Sequence, residues 1–482
     1  MTVSATDAPV TAPRRRLRLT PAAVVWLVWG AALASILVFI ARDGRNIPFE
    51  EDWLMVAAMT GHEPDLPRWL WSQNSEHRLP LPRLVNLMLL RATGDFRSTM
   101  VFDALALGAL AAAMILVART LRDGRTSVAD AFFPLLLLHL GNWDNLVWGW
   151  QIQFVLPTVL ACAFLLVILA RPSLATPGVT MAGALMLIGL PLSGANGLVF
   201  APPLAAWLAY AVWVGRREPT PDRSRVSSLA GGAAGLAILL CAVYFVGYES
   251  SPWNAPSPGF GATLETSGKF LALGLGPAAA KSWLLFGIVA FVVLVAGLRA
   301  LRTAPRREAA DRLRFLGLLA FFAAVIVLTV AVGWGRAGRA AETGRMPTRY
   351  VLLAAPGMCA AYFSLLLFGT ERMRRVGPAA LAILLALLFP LNTREGLKRR
   401  AWFGDGMAAF ERDLASGASS GALARRHHGF MLHWDEPLMV AGLQQLHDAG
   451  IGPFRDWEPA GRAAASDSGQ GRGGSSGRAS AP

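Results

Sequence analysis

The chain has 482 residues, of which 54% are hydrophobic and 16% are charged. Because soluble proteins carry about 25% charged residues, this composition excludes a disordered chain and argues against a soluble globule. The apolar residues form blocks long enough to cross a bilayer, separated by short arginine-rich breaks. The net charge of +14 would suggest nucleic acid in a soluble protein, but here the excess lies at the ends of the apolar blocks. Positive charge there sets topology and meets anionic headgroups, so we expect no nucleic acid partner.

The apolar blocks predict an all-α integral membrane protein with about eleven transmembrane helices. The first span, 20–41, follows an arginine cluster and is interpreted as uncleaved, with its N-terminus in the cytoplasm. The other predicted spans are 98–120, 129–141, 153–170, 178–192, 197–214, 228–248, 278–298, 315–333, 350–369 and 378–391. Arginines recur in alternate loops, on the N-terminal side, as the positive-inside rule requires.

These spans divide the chain into six predicted parts. They are a cytoplasmic basic N-terminus (1–19), the first transmembrane helix (20–41), a large extracytoplasmic loop (42–97), a multi-span domain (98–391), a small soluble C-terminal tail (392–460) and a disordered end (461–482). The end is rich in Ser and Gly, which cannot bury a core. The tail lies outside if the short apolar segment 378–391 is a true span.

The first candidate site is the acidic run Glu50, Glu51 and Asp52, between Pro48 and Trp53. Clustered carboxylates can hold a divalent cation, or one of them can act as a general base with a raised pKa. Alternatively, the proline and the acids suit the first turn of a helix, where negative charge meets the helix dipole.

A second polar and aromatic set follows in the same loop. Its members are Trp69, Trp71, Glu76, His77, Arg78 and Arg83. Arginine binds phosphate in a bidentate manner, and an indole face suits a pyranose ring or a lipid tail. The tryptophans are equally typical of the membrane interface, and Glu76 with either arginine would make an ordinary ion pair.

The third candidate is the turn between predicted spans three and four, 139–153. Its amides, carboxylate and indoles are Asn142, Asp144, Asn145, Gln151 and Gln153, interleaved with Trp143, Trp148 and Trp150. Sugar-binding pockets use such groups, but interhelical hydrogen bonds would use them too.

The fourth candidate is a set of arginines on the side where the positive-inside rule disfavours them. It comprises Arg336, Arg339, Arg345 and Arg349, next to Tyr350. This set indicates binding of a phosphate or pyrophosphate, or contact with anionic lipid. The histidines His427, His428 and His433 have no recognised metal-site spacing.

This layout resembles the C-type membrane glycosyltransferases (GT-C), and most closely uncharacterised bacterial members whose first loop reads like P-Y-x-D-[DE]-W and N-x-E-H-R. The matching stretches are Pro48-Phe-Glu-Glu-Asp-Trp53, Asn74-Ser-Glu-His-Arg78, Asn142-Trp-Asp-Asn and Gly194-Ala-Asn-Gly197. The resemblance covers the layout of nearly the whole chain to Leu391, although the matching motifs are short.

The resemblance implies an enzyme that transfers a sugar from a polyprenyl-phosphate-linked donor to a hydroxyl acceptor on a glycan, lipid or protein. It places the chain in the bacterial inner membrane, with the active site facing the periplasm. The family's catalytic acidic pair falls on Glu51 and Asp52, where Glu51 replaces a commoner Asp, so Glu50 also stays a candidate base. Some members need a divalent cation, Mg or Mn, for which Glu51 and Asp52 would be the ligands.

The chemistry of this reaction assigns the remaining candidates. Asp52 or Glu51 would deprotonate the acceptor hydroxyl while cations hold the departing lipid phosphate. The candidate phosphate-binding residues are His77, Arg78, Arg83, Arg345 and Arg349. The candidate sugar- or acceptor-binding residues are Glu76, Asn142, Asp144, Trp148, Gln151 and Tyr350.

Two rival functions use the same membrane setting. A lipid-linked sugar flippase or transporter would need ionisable residues along a path through the spans, for which Asp103 and His139 are candidates. A surface-polysaccharide ligase or polymerase usually carries its large loop later in the chain. The early position of the loop 42–97 favours the glycosyltransferase.

Overall fold

The structure is a computed structural model that describes residues 19–170, 176–215, 223–251, 255–303 and 308–459, almost all of them helical or in short turns. The N-terminal part contains α1 (Pro21–Asp43), α2 (Trp53–Thr60), α3 (Leu66–Trp71), the antiparallel pair β1 (Gln73–Asn74) and β2 (His77–Arg78), and α4 (Pro80–Thr93). The middle part contains α5 (Arg97–Thr120), α6 (Phe132–Leu137), α7 (Trp143–Val147), α8 (Ile152–Ala170), α9 (Pro177–Gly189), α10 (Ala195–Leu198), α11 (Ala201–Gly215) and α12 (Arg223–Tyr244). The last part contains α13 (Phe260–Leu273), α14 (Pro277–Lys281), α15 (Trp283–Leu301), α16 (Ala309–Thr343), α17 (Val351–Phe368), α18 (Glu371–Ala415), α19 (Ser420–Met431) and α20 (Glu436–Asp448).

Nine helical segments of the described residues are long and apolar enough to cross a membrane. They contain α1, α5, α8, α11 (with α10), α12, α15, α16, α17 and α18. The first begins where the sequence indicates, because Thr20 accepts the N–H of Ala23 at 3.2 Å and Pro21 takes the first helical position. The prediction of an all-α, multi-span protein is confirmed at this level.

Two predicted spans are shorter than expected. The stretch 129–141 is divided into a 3₁₀ turn, the six-residue α6 and a second turn, Leu140–Asn142. The stretch 178–192 forms α9, which has 13 residues. Neither helix reaches the roughly 20 residues that a bilayer requires. The structure adds α13, which the sequence did not predict and which packs between α15 and α16.

The centre of the bundle is α17, which is buried along nearly its whole length. Small residues let its neighbours approach closely, as in membrane helix packing generally. A Cβ on Gly297 of α15 would lie 2.9 Å from Cα of Ala361, and one on Gly357 would lie 3.0 Å from Cγ1 of Val325. The packing around α17 gives the bundle a fixed frame for the segments at its ends.

The two ends of the bundle carry different groups. At one end, Arg314 donates to the carbonyl of Leu169 and Arg374 donates to the carbonyl of Leu366. At the other end, α1 leads into the residues 48–53, which we call the acidic segment. We refer to the two as the opposite end and the acidic-segment end.

The C-terminal part of the chain packs against the first loop. The helix α18 continues unbroken from Glu371 to Ala415, across the predicted domain boundary at 391–392. Phe403 of α18 and Phe430 of α19 lie 5.1 and 5.3 Å from the ring of Phe49. The predicted tail therefore lies at the acidic-segment end, whereas the predicted N-terminal arginine cluster and the disordered end, 461–482, lie outside the described residues.

Candidate functional site

The acidic segment forms a 3₁₀ turn, Glu50–Asp52, that leads directly into α2. The carboxylate of Asp52 accepts the N–H of Phe49 through Oδ2 at 3.4 Å, as a capping residue does. The interpretation of the acids as the first turn of a helix therefore agrees with the local structure. It accounts for one oxygen of Asp52 and leaves the other for a more distant partner.

Asp52 joins the acidic segment to the predicted turn between spans. Its Oδ1 accepts the N–H of Trp150 at 2.7 Å, and the residue is 1% exposed. Burial raises the pKa of Asp52 to about 8, although the N–H groups of Phe49 and Trp150 favour the ionised form. A carboxyl group with this pKa takes up and releases protons near neutral pH, as a general base must.

The turn at 138–151 is a broken helical stretch that is almost fully buried. Several of its buried polar atoms have no hydrogen-bond partner: Oδ1 of Asn142 and Asn145, both amide atoms of Gln151, and Nε1 of Trp143, Trp148 and Trp150. Nearly all buried polar groups in folded proteins are paired, because leaving them unpaired is costly. A concentration of such groups is typical of a surface that binds a polar ligand.

Arg349 brings a positive charge to this broken stretch. Its guanidinium carbon lies 5.6 Å from the centre of the Trp148 ring and 6.0 Å from that of Tyr350. Asn145 donates to the carbonyl of Arg349 at 3.1 Å, and Thr348 donates to Asp144 at 2.5 Å. These two bonds fix the start of α17 against the broken stretch.

Glu50 and Glu51 share the electrostatic surroundings of Arg349. Burial raises the pKa of both glutamates, and the positive charge of Arg349 opposes that rise. Oε2 of Glu51 is buried without a hydrogen-bond partner, whereas Oε2 of Glu50 lies 3.0 Å from Nδ1 of His433. Glu51 is therefore the carboxylate of this run whose oxygen is left for a ligand.

The β1–β2 hairpin places two further predicted residues near the arginines. Glu76 forms an ion pair with Arg336, at 3.2 Å. Burial, together with the charges of Arg336 and Arg349, lowers the pKa of His77 to about 4. His77 is thus neutral at pH 7, so it can donate a hydrogen bond but carries no additional proton for a leaving group.

Arg78 and Arg83 hold the first loop together through backbone carbonyls. Arg78 donates to the carbonyls of Trp71, Tyr244, Val246 and Gly247. Arg83 donates to the carbonyls of Trp69 and Ser72. All three nitrogens of the Arg78 guanidinium donate in this way, whereas only Nη1 of Arg83 does and its buried Nε has no hydrogen-bond partner among the described residues.

Arg345 does not join the site either. It is exposed, and its backbone N–H bonds to Thr343. The structure thus brings together the acidic segment, the broken stretch and the start of α17, while the arginines of the loop have structural partners.

Three contributors to this region were not assigned from the sequence. Arg336 belonged to the predicted arginine set, but only the structure pairs it with Glu76. Thr348 is next to Arg349 in the chain, so its place in the site could have been predicted from that position. His433 is 383 residues from Glu50, and nothing in the sequence connects the two.

The residues present do not fit a divalent metal. Among the described residues, no group of three or more His, Cys, Asp or Glu side chains is placed to hold a metal ion. Both oxygens of Asp52 already accept backbone N–H groups. We therefore assign no role as metal ligands to Glu51 and Asp52.

A cavity of about 420 Å³ lies beside the hairpin, lined by Gln73, Ser75, Arg78, Gly247, Glu249, Ser250 and Ser251. Asp52 is not among its lining residues. The carboxylate of Asp52 is instead covered by protein.

The site and the fold together define a multi-pass helical membrane protein with buried carboxylates and a stacked arginine at one end. Comparison with protein-family models and with curated proteins gives no match to this chain.

Proposed function

We propose that the protein is a membrane glycosyltransferase that moves a sugar from a polyprenyl-phosphate-linked donor to a hydroxyl acceptor. The observation that carries this proposal is the position of Asp52. It is buried, has a pKa near 8, and bonds to the broken stretch that also packs against Arg349. A base tuned to neutral pH, bonded to a stretch that also contacts an arginine at the end of a membrane bundle, suits sugar transfer from a lipid phosphate.

In the proposed reaction, Asp52 accepts the proton of the acceptor hydroxyl. The hydroxyl oxygen forms a bond to the anomeric carbon of the donor, and the bond between that carbon and the phosphate oxygen breaks. The phosphate leaves with the electron pair, so its negative charge grows in the transition state. Arg349 supports this growing charge, and it meets little competition from water because its surroundings are largely buried.

The donor phosphate is assigned to Arg349, with Arg336 and the neutral His77 on the hairpin side. The guanidinium of Arg349 is oriented by the rings of Trp148 and Tyr350. We leave Arg78 and Arg83 out of this set because they donate to backbone carbonyls, and Arg345 because it is exposed. Glu51, with its unpartnered oxygen, is the second candidate for the base.

The sugar is assigned to the broken stretch. Its buried amides and indole N–H groups without partners, at Asn142, Gln151 and Trp148, suit a ring bearing several hydroxyl groups. The lipid chain of the donor would lie along the apolar helices. We place the reaction on the extracytoplasmic face of the bacterial inner membrane, in cell-envelope polysaccharide synthesis.

A lipid-linked sugar flippase is the second candidate, because of Asp103. This residue is fully buried in α5, neither of its carboxylate oxygens has a partner, and its charge interacts with that of Asp52. A flippase needs ionisable groups inside the spans. Purified protein in vesicles separates the two functions, because a flippase moves the donor without forming a new glycosidic bond.

The deciding experiment supplies purified protein with a small panel of radiolabelled polyprenyl-phosphate sugars, with and without a chelator. The proposal predicts transfer to a hydroxyl acceptor from at least one donor, lost in Asp52→Asn and unaffected by the chelator. Glu371→Gln is the matched control, because Glu371 is 79% exposed and is the first residue of α18, at the opposite end. Full transfer activity in both Asp52→Asn and Glu51→Gln would refute the assignment.

A further inference from the structure

The acidic segment contacts the C-terminal helices at three points. By this name we mean the outer half of α18 together with α19 and α20. Phe49 packs against Phe403 and Phe430. Oε2 of Glu50 lies 3.0 Å from Nδ1 of His433, just after α19. The ring of Trp53 meets α20 at Gly442, where a Cβ would lie 2.9 Å from Cε3.

The backbone of Glu50 explains why such support is needed. Its φ angle is +51°, a left-handed conformation that residues other than glycine seldom adopt. A strained backbone of this kind persists only where its surroundings hold it, and such positions concentrate at functional sites. The turn that follows carries Glu51 and Asp52, so the conformation of Glu50 sets where these two carboxylates point.

Further contacts tie the same two parts of the chain together. Arg45, before the acidic segment, pairs with Glu411 at 3.2 Å, and Asp43 pairs with Arg400 at 2.6 Å. Both carboxylate–arginine pairs join the end of α1 to the outer half of α18. The C-terminal helices therefore contact this part of the chain through ion pairs as well as through aromatic rings.

From these contacts we infer that the C-terminal helices complete the site and that His433 is a positioning residue for the acidic segment. A carboxylate only accepts hydrogen bonds, so Nδ1 of His433 donates to Glu50. The side chain of Glu50 is 17% exposed while that of His433 is 58% exposed, so the histidine reaches the carboxylate from the solvent side. The role of His433 in sugar transfer rests on the proposed function, whereas its hold on the acidic segment does not.

The test compares His433→Ala with His433→Asn, whose side-chain N–H group can replace Nδ1. His62→Ala is the matched control, because His62 lies in the first loop, is exposed and bonds only locally, to Thr60 at 2.9 Å. Amide hydrogen exchange over residues 47–56 is measured without substrate, and transfer is measured separately.

We expect His433→Ala to speed exchange of the acidic segment about tenfold and to lower kcat by a similar factor, with the KM for the donor within twofold. His433→Asn should restore both, and His62→Ala should change neither. Unchanged exchange in His433→Ala, or no rescue by asparagine, would overturn the inference. Faster exchange in a protein whose wild type transfers no sugar would instead support the positioning role and count against the proposed function.

Discussion

A buried aspartate lies at each end of the bundle, Asp130 at the opposite end and Asp52 at the acidic-segment end, and the two differ in their partners. At the opposite end, Asp130 accepts from Arg122 at 2.6 Å, from the Tyr362 hydroxyl at 2.7 Å and from the N–H of Ser127 at 2.9 Å. At the acidic-segment end, Asp52 accepts from backbone N–H groups, those of Phe49 and Trp150 among them, and no cation of the described residues pairs with it.

We interpret this difference as the one between a structural carboxylate and the proposed base. Asp130 has a cation in direct contact, which compensates for the burial of its charge. Asp52 has no such cation, so burial raises its pKa to about 8. Burial alone therefore does not identify a base, because the partners of each carboxylate decide whether it can exchange a proton.

The largest expected effect is on catalysis at the acidic-segment end. Replacing Asp52 with Asn removes the proton acceptor but keeps its size, so the rate of transfer should fall by about 10²–10⁴-fold. Above pH 8, where Asp52 is ionised, the thermal unfolding temperature should stay equal or rise, because a buried charge without an ionic partner is removed. Transfer assays and unfolding in detergent measure the two quantities. A rate within threefold of wild type would contradict the assignment.

The converse effect is expected at the opposite end. Asp130→Asn leaves Arg122 without its carboxylate, which should lower the free energy of unfolding by about 3 kcal/mol. Transfer per folded molecule should remain close to that of the wild type. Chemical or thermal unfolding measures the loss, and activity is normalised to folded protein. An unchanged stability would show that the ion pair with Arg122 is not the anchor we describe.

Arg349 tests the positive charge at the acidic-segment end. Arg349→Ala should lower transfer about 10²-fold, because one contact to the developing phosphate charge is lost. Arg375→Ala is the control, since Arg375 is 77% exposed and pairs with Glu371 near the opposite end. Exposed pairs of this kind contribute little. Equal losses in the two variants would remove Arg349 from the proposed mechanism.

Two arginines at the acidic-segment end should separate structure from function further. Arg78→Ala deprives several carbonyls of their donor, so the free energy of unfolding should fall by about 2 kcal/mol. Arg345→Ala should change neither stability nor transfer measurably, because Arg345 is exposed. A transfer loss in Arg345→Ala at unchanged stability would restore it to the phosphate-binding set.

The pH dependence of transfer should also distinguish the two aspartates, because only Asp52 should cause it. Asp52 must be ionised to accept a proton, and the pKa of about 8 means that the ionised fraction grows as the pH rises. Transfer should therefore increase about tenfold per pH unit below pH 8 and level off above it. The profile should be the same in Asp130→Asn. A rate that falls between pH 6 and 8 would contradict a carboxylate base at this position.

The sequence predicted the parts of this site better than their arrangement. The acidic run, the polar turn and Arg349 each stand out by residue type, and the helical class follows from the length of the apolar blocks. Which of them are in contact depends on where α1 ends and on where α8 and α17 begin. Packing around α17 sets these positions. The contact between Asp52 and the N–H of Trp150 has no counterpart in sequence spacing.

Other features could not be predicted because identical residue types have different partners. Arg78 and Arg349 are equal in sequence terms, but only the fold shows that the first donates to four backbone carbonyls.

The helix α13 was not predicted because Glu265 and Lys269 interrupt its apolar pattern. In the structure these two pair at 2.8 Å, and Lys269 lies 5.7 Å from the ring of Trp283.

Our central proposal is that Asp52 takes part in the transfer reaction, whereas Asp130 stabilises the fold. The most direct test measures the transfer rates of Asp52→Asn and Asp130→Asn side by side, with equal amounts of folded protein and one polyprenyl-phosphate sugar donor that the wild type uses. We predict that Asp130→Asn transfers sugar at least about a hundred times faster than Asp52→Asn, a ratio on the order of the contribution of a general base. Equal rates in the two variants would contradict it.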